Sequence, residues 1–290
     1  MAERISFQDQ ISRNKWKSFF LMTIIFIVLV LFGYVISFAF DPGFFFIIMI
    51  ISIIISLSYI WISYYNSGKI AIASVGARKV AREKYKQYYD LVEGLTIASG
   101  LPMPELYIMD SPQINAFASG RNPKNAVVCV TTGTLEKLEK KELEGVLAHE
   151  LSHVANYDIR YMTLATVMVG MIAIISEIFL RSLWFHSDND KGKGIFIVIG
   201  IILAILAPII VKLVQMAISR KREFNADATG VKFTRYPPGL IGALKKIKGE
   251  NYSEKRVSKA IAPLFFSNPF KNLGSTHPPL DERIKILEKM

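Results

Sequence analysis

Residues 19–40 read Phe19-Phe20-Leu21-Met22-Thr23-Ile24-Ile25-Phe26-Ile27-Val28-Leu29-Val30-Leu31-Phe32-Gly33-Tyr34-Val35-Ile36-Ser37-Phe38-Ala39-Phe40, without one charged side chain. At 1.5 Å per residue this run makes a helix of roughly 33 Å, enough to cross the hydrocarbon core of a bilayer. Phe44 to Tyr65 is a second run of the same kind. A secretory signal is the alternative for the first run, but its apolar stretch is too long and no small-residue cleavage site follows it. Two later runs are interrupted more often. Tyr161 to Leu180 contains Glu177, which Arg181 could pair with, and Ile195 to Ala217 contains Pro208 and Lys212. They flank a polar, turn-rich loop around Asp188, Asp190 and Gly192. Either they span the membrane or they form a helical hairpin buried in a soluble core.

The chain has 290 residues, 51% of them hydrophobic, and a net charge of +11. With four spans, the N-terminus, residues 66–160 and residues 218–290 fall on one side, and they carry 31 of the 35 Lys and Arg. Arg13, Lys15, Lys17, Lys69, Arg160, Arg220, Lys221 and Arg222 lie close to the ends of the runs. Positive charge collects on the cytosolic side of spanning proteins, so both termini and the polar segments are expected there. A basic surface beside anionic lipid explains the charge without nucleic acid as a partner. The single cysteine, Cys129, sits in an apolar run and reads as a small buried residue.

The expected organisation follows. Residues 1–66 form an N-terminal transmembrane hairpin. Residues 67–160 and 218–290 form one polar, cytosolic domain, interrupted by a second hairpin at 161–217. The fold class is mainly α, polytopic, with a small antiparallel β-sheet in the polar domain. A helix is expected over Ala77 to Ala98, ending near Gly100. Strands are expected at Leu106–Met109, Ile114–Ala118 and Ala126–Val130, and helix again from Thr134.

That last helix ends in His149-Glu150-Leu151-Ser152-His153. Residues four apart share a helical face, so both imidazoles can hold one zinc ion. Glu150, beside the first ligand, is placed to take a proton from water acidified by the metal. A third ligand should come from another element. Glu223 is the best candidate, with Asp227 four residues on to hold a free ring nitrogen. Carboxylates among basic residues are often surface ion pairs, but spacing favours the site. His153 lies eight residues before the third run and Glu223 six after the fourth, about 12 and 9 Å of helix. An antiparallel pair of runs would bring both half-sites out at similar height.

Together these stretches resemble the HtpX family of membrane metallopeptidases, gluzincins related to the CAAX prenyl proteases. The matching segments are Asn115-Ala116-Phe117-Ala118, Thr131-Thr132-Gly133, Leu147 to His153, Asn156-Tyr157-Asp158, Ser219 to Asp227 and Ser275-Thr276-His277-Pro278-Pro279. They occur in family order from residue 77 onward. The resemblance implies a zincin-like catalytic domain with one zinc ion per chain, held by His149, His153 and Glu223, with Glu150 as general base. It implies Asp227 and Asn156 in support of the ligands and His277 as a donor to the oxyanion. Taken alone, His277 before two prolines would read as an inert exposed histidine. Protein or peptide substrates are implied, membrane proteins among them, in protein quality control. Related enzymes hold the substrate backbone along a sheet edge, for which Asn115, Ala116 and Phe117 are candidates; an ordinary core strand is the alternative.

Three other classes fit less well. A protease acting within the bilayer would place the motif mid-membrane, yet Lys140, Lys141, Glu142 and Glu144 precede it within three turns. A transporter would carry more ionisable residues within its spans. A membrane-bound adaptor or scaffold with a zinc site and no significant proteolysis leaves an intact Glu150 unexplained.

Overall fold

In the computed structural model, the apolar sequence from the first run onward forms two long helices, α1 (Phe7–Ser37) and α2 (Phe45–Tyr65). The structure describes residues 7–37, 42–167, 220–250, 264–267 and 278–290, with 170 and 200 singly. Among the described residues, two helices are long and apolar enough to cross a membrane, Ile11–Ser37 and Pro42–Tyr65. They approach so closely at Gly33 that any side chain there would run into Ser52. Ser52 and Ser56 donate to the carbonyls of Ile48 and Ser52, so their hydroxyls need no water. The remaining faces are apolar and open: Phe46 is 75% and Trp61 63% exposed, with Ile50, Ile54 and Leu57 between them. An exposed apolar surface of that extent needs lipid to cover it. The remainder of the third and fourth runs, with Glu177 and Arg181, lies outside the described residues.

After the short helix α3 (Ser67–Ser74) the polar domain begins. The helix expected from Ala77 starts only at Lys86, as α4 (Lys86–Ser99), and ends on Gly100, whose φ of 71° suits a residue without Cβ. Arg78–Lys79 is instead a strand, β1, because pairing with Tyr107 and Ile108 outcompetes the local helical pattern. The others are β2 (Glu105–Met109), β3 (Ala116–Gly120) and β4 (Ala126–Thr131), in the spatial order β1-β2-β4-β3. The sheet is mixed, not antiparallel as expected. β2 and β4 run parallel, from Glu105 opposite Val127 to Met109 opposite Thr131, while β3 pairs antiparallel with β4. The cause is the link 110–115, which carries the chain past the neighbouring position so that β4 inserts between β2 and β3. β4 is buried along its whole length, as its continuous apolar sequence requires of a central strand. Burial pushes the Cys129 thiol up, so it is an inert packing residue.

Helices cover this sheet: α5 (Thr132–Lys137), α6 (Lys140–Ala155), α7 (Arg220–Thr234), α8 (Pro237–Gly249) and α9 (Leu280–Leu287). Leu91, Val128, Leu147, Leu151, Leu240 and Leu244 belong to one core beneath them. A helical stretch at 158–167 packs Tyr161, Leu164 and Ala165 against Leu21, Ile25 and Val28 of α1. The membrane helices and the sheet domain are thus joined through one buried seam.

Two backbone approaches set the position of α6. A Cβ on Gly230 of α7 would lie 3.0 Å from the backbone nitrogen of His149, and one on Gly145 would lie 2.6 Å from that of Leu240. Gly145→Val should therefore push α8 off α6 and destabilise the domain by about 1–3 kcal/mol, the usual cost of overpacking. Thermal unfolding of the purified variant checks this; an unchanged melting temperature would refute the close approach.

Candidate metal centre

Helix α6 is fixed at its start by reciprocal caps. The Glu139 side chain accepts from the backbone of Glu142, and the Glu142 carboxylate accepts from the Glu139 N–H at 2.8 Å. From Gly145 to Val154 every residue is buried, so His149, Glu150 and His153 are held in the interior. The Nε2 atoms of His149 and His153 are 3.2 Å apart. Helix α7, drawn close at Gly230, brings Glu223 to 3.6 Å from each of them, Oε2 toward His149 and Oε1 toward His153. Donor atoms from His149, His153 and Glu223 all lie within 4.8 Å of one another.

The outer ring nitrogens are also held. His149 Nδ1 lies 2.8 Å from Asp227 Oδ1, and His153 Nδ1 lies 3.1 Å from Asp158 Oδ2. When Nδ1–H donates to a carboxylate, Nε2 presents its lone pair inward. Asp227 in turn takes a fork from Arg283 of α9, Nε to Oδ2 at 2.9 Å and Nη2 to Oδ1 at 2.7 Å. Burial would raise the Asp227 pKa, but the Arg283 guanidinium and His149 outweigh it and hold the carboxyl below its usual range. Burial would lower the His149 pKa, yet hydrogen bonds to Asp227 and Glu223 push it up to about 9. The pocket thus favours positive charge where its donors converge. Two imidazoles and a carboxylate, all buried and pre-aimed, fit a borderline-soft dication such as zinc.

Glu150 is buried beside these three side chains, and desolvation holds its carboxyl above the usual range. It accepts a hydrogen bond from the backbone of Ala118 on β3. β3 is an edge strand, but its free side is covered by residues 264–267. Phe266 N–H donates to the Ala116 carbonyl at 2.7 Å, and Phe117 faces Phe265. The Asn115 amide holds the Ser267 backbone from both sides, Nδ2 to its carbonyl at 3.0 Å and Oδ1 from its N–H at 3.1 Å. The Phe266 ring stands edge-on to His149 at 4.8 Å.

The structure therefore gathers His149, Glu150, His153, Glu223 and Asp227 at one point. Asn156 supplies its backbone carbonyl to this region. His277 lies outside the described residues. Two participants escaped the sequence reading as individual residues. Asp158 reaches His153 because Tyr157, at φ 58°, reverses the chain after α6. Arg283 escaped notice, although it lies on the apolar stripe of α9 with Leu280 and Leu287. A charge on that stripe was the available signal.

The model of peptidase family M48 matches residues 83–290. This chain belongs to peptidase family M48. Among curated relatives, a "Protease HtpX homolog" of Dictyoglomus thermophilum is 41% identical over 98% of this chain and 95% of its own length. A protein of the same description from Thermoanaerobacter pseudethanolicus is 46% identical over 84% of each chain. The crystal structure of S. mikatae Ste24p shares the fold, with a TM-score of 0.51 and 19% identity, over 95% of this chain and 65% of that one. M48 membership makes the chain a metallopeptidase, and His149, His153 and Glu223 in the site just described form a group that could hold a metal ion.

In this M48 chain, Arg283→Met would leave the Asp227 carboxylate buried and uncompensated, costing about 3–5 kcal/mol. Adding Asp227→Leu should restore most of that stability, since an apolar pair can replace a buried ion pair. His149 would then lack its carboxylate, and metal affinity should stay about 10–100-fold lower. Thermal melts and metal competition on the single and double variants check both parts.

Proposed function

We propose that the protein is a zinc-dependent endopeptidase that hydrolyses peptide bonds of membrane or misfolded proteins at the cytosolic face of the membrane. The observation that carries this reading is the convergence of His149, His153 and Glu223 with Glu150 beside them, in a member of a peptidase family. These three residues would hold the ion, one per chain. When bound, zinc supplies Lewis-acid polarisation of a carbonyl and acidification of water.

The chain's own residues do the rest. Glu150, with its proton affinity raised by burial, accepts a proton from the attacking water and returns it to the leaving amine. Asp227 and Asp158 keep the imidazoles oriented, and Arg283 keeps Asp227 ionised. The substrate backbone adds to the edge of β3. The Ala116 carbonyl and the Ala118 N–H point to the same edge, and they are held in this structure by Phe266 and Glu150. A substrate strand docking there exchanges those hydrogen bonds for its own, with Asn115 and Phe117 alongside. His277 is the proposed oxyanion donor, resting on the family resemblance.

Placement at the cytosolic face is supported by charge. Arg13, Lys15 and Lys17 precede the apolar part of α1, and Lys69 follows α2. Cysteines introduced near Gly120, at the exposed Lys124, and at Gly249 should be labelled from the cytosolic side, and one at Gly192 from the other side. Labelling of Gly192 from the cytosol alone would show that the second hairpin does not span.

Glu150→Gln should retain one zinc and lose about 10²–10⁴-fold in peptide cleavage, the range for one general base. Zinc analysis and cleavage of an unfolded protein substrate, on the same preparation, test this. Wild-type cleavage by the variant would end the general-base assignment.

A further inference from the structure

The first membrane helix reaches the metal centre. Asn14, in the interior of α1, is buried, and its side-chain amide makes two hydrogen bonds to residues more than 140 positions away. Nδ2 donates to Asp158 Oδ1 at 2.7 Å and to the Asn156 carbonyl at 3.0 Å. The other oxygen of the same carboxylate, Oδ2, lies 3.1 Å from His153 Nδ1. The order is therefore Asn14, Asp158, His153, metal. Arg222, beside Glu223 on α7, approaches Asp158 Oδ1 at 3.8 Å, so the helix bearing the third ligand meets this carboxylate too. Asparagine is a poor choice for a helix interior, since its amide competes with the backbone. Here the amide is turned away from its own helix, and Ser18 occupies the Asn14 carbonyl at 2.8 Å.

The chemistry of this donor matters. A carboxylate with one oxygen free to rotate would not fix the imidazole plane. The Asn14 amide donates to one oxygen of Asp158 and leaves the other for the imidazole, which fixes the plane of both.

We infer that Asn14 is a positioning residue of the metal centre: by fixing Asp158 it fixes His153, so tight metal binding depends on this one amide of the anchor helix. This rests on the reading of His149, His153 and Glu223 as zinc ligands, and it adds to that reading a residue from outside the matched family region, which begins at residue 83.

The test uses the full chain purified in detergent, loaded with zinc, with release followed by a chromogenic chelator. Wild type must first hold one zinc; if it does not, the ligand assignment itself fails. Asn14→Leu, similar in size but without the donor, should release zinc about tenfold faster, the lower end of the effect of outer-shell partners. The visible band of the cobalt(II)-substituted variant should shift, because the His153 plane is no longer fixed. Asn14→Ala serves the same purpose if the leucine variant does not accumulate. Leu21→Ala is the control. It loosens the same helix in its packing against Tyr161 and Leu164, so it should lower the melting temperature while leaving zinc release within about twofold of wild type. In an Asp158→Ala background, Asn14→Leu should add nothing, since the middle link is gone. Wild-type release and an unshifted cobalt band in Asn14→Leu would overturn the inference. So would equal acceleration by Leu21→Ala, which would assign the effect to helix docking in general.

Discussion

Two imidazoles can hold one ion only if each is turned so that an unprotonated ring nitrogen points inward, and a helix by itself does not turn them. In this protein each ring is turned by a buried carboxylate, Asp227 on His149 and Asp158 on His153. A buried carboxylate is costly without a partner, so each one draws in another part of the chain. Asp227 draws in the guanidinium of Arg283 from the last helix. Asp158 draws in the amide of Asn14 from the first. The site is therefore closed by both ends of the described chain, and the fold between them serves to bring those ends to α6.

The same accounting explains the glycines and the turn. Glu223 can reach both imidazoles only if α7 lies at backbone distance from α6, which Gly230 permits. Asp158 can fold back on His153 only if the chain reverses within two residues, and Tyr157 takes the positive φ that this requires. A non-glycine residue in that region costs about 1–3 kcal/mol and persists where its surroundings enforce it. Here Lys15 of α1 lies over the Tyr157 ring at 4.7 Å, one turn-mate of Asn14 clamping the turn that Asn14 also holds.

How far the sequence revealed this follows from the range of each interaction. The apolar runs and the His149–His153 spacing are local and periodic, and they could be read directly. Glu223 could be singled out because its distance from the fourth run resembles that of His153 from the third, on the assumption that the two runs are antiparallel partners. The mixed sheet could not. Strand direction depends on whether the link 110–115 returns beside β2 or crosses over, and its residues fit either course. Asn14 and Arg283 were illegible for a different reason. Each is a polar residue in a helix, and only the tertiary partner, at 2.7 Å in both cases, distinguishes it from a solvated one. Position 283 on the apolar stripe of α9 was a clue to burial, but not to the partner.

The choice between an enzyme and a non-catalytic scaffold can also be argued on energy. An ion pair such as Arg283–Asp227 is often no better for stability than apolar residues of similar volume, and replacing it can be favourable by about 1–4 kcal/mol. A scaffold needs no buried guanidinium, and it needs Glu150 even less. That carboxylate is buried and its ionised form is disfavoured, although a backbone N–H from Ala118 supports it. It contributes nothing to the apolar core and is not one of the three converging donors. Its position suits the proposed general base, a group that exchanges a proton beside a Lewis acid in peptide hydrolysis. Stability is conceded at the residue where chemistry gains most, and that asymmetry favours the peptidase.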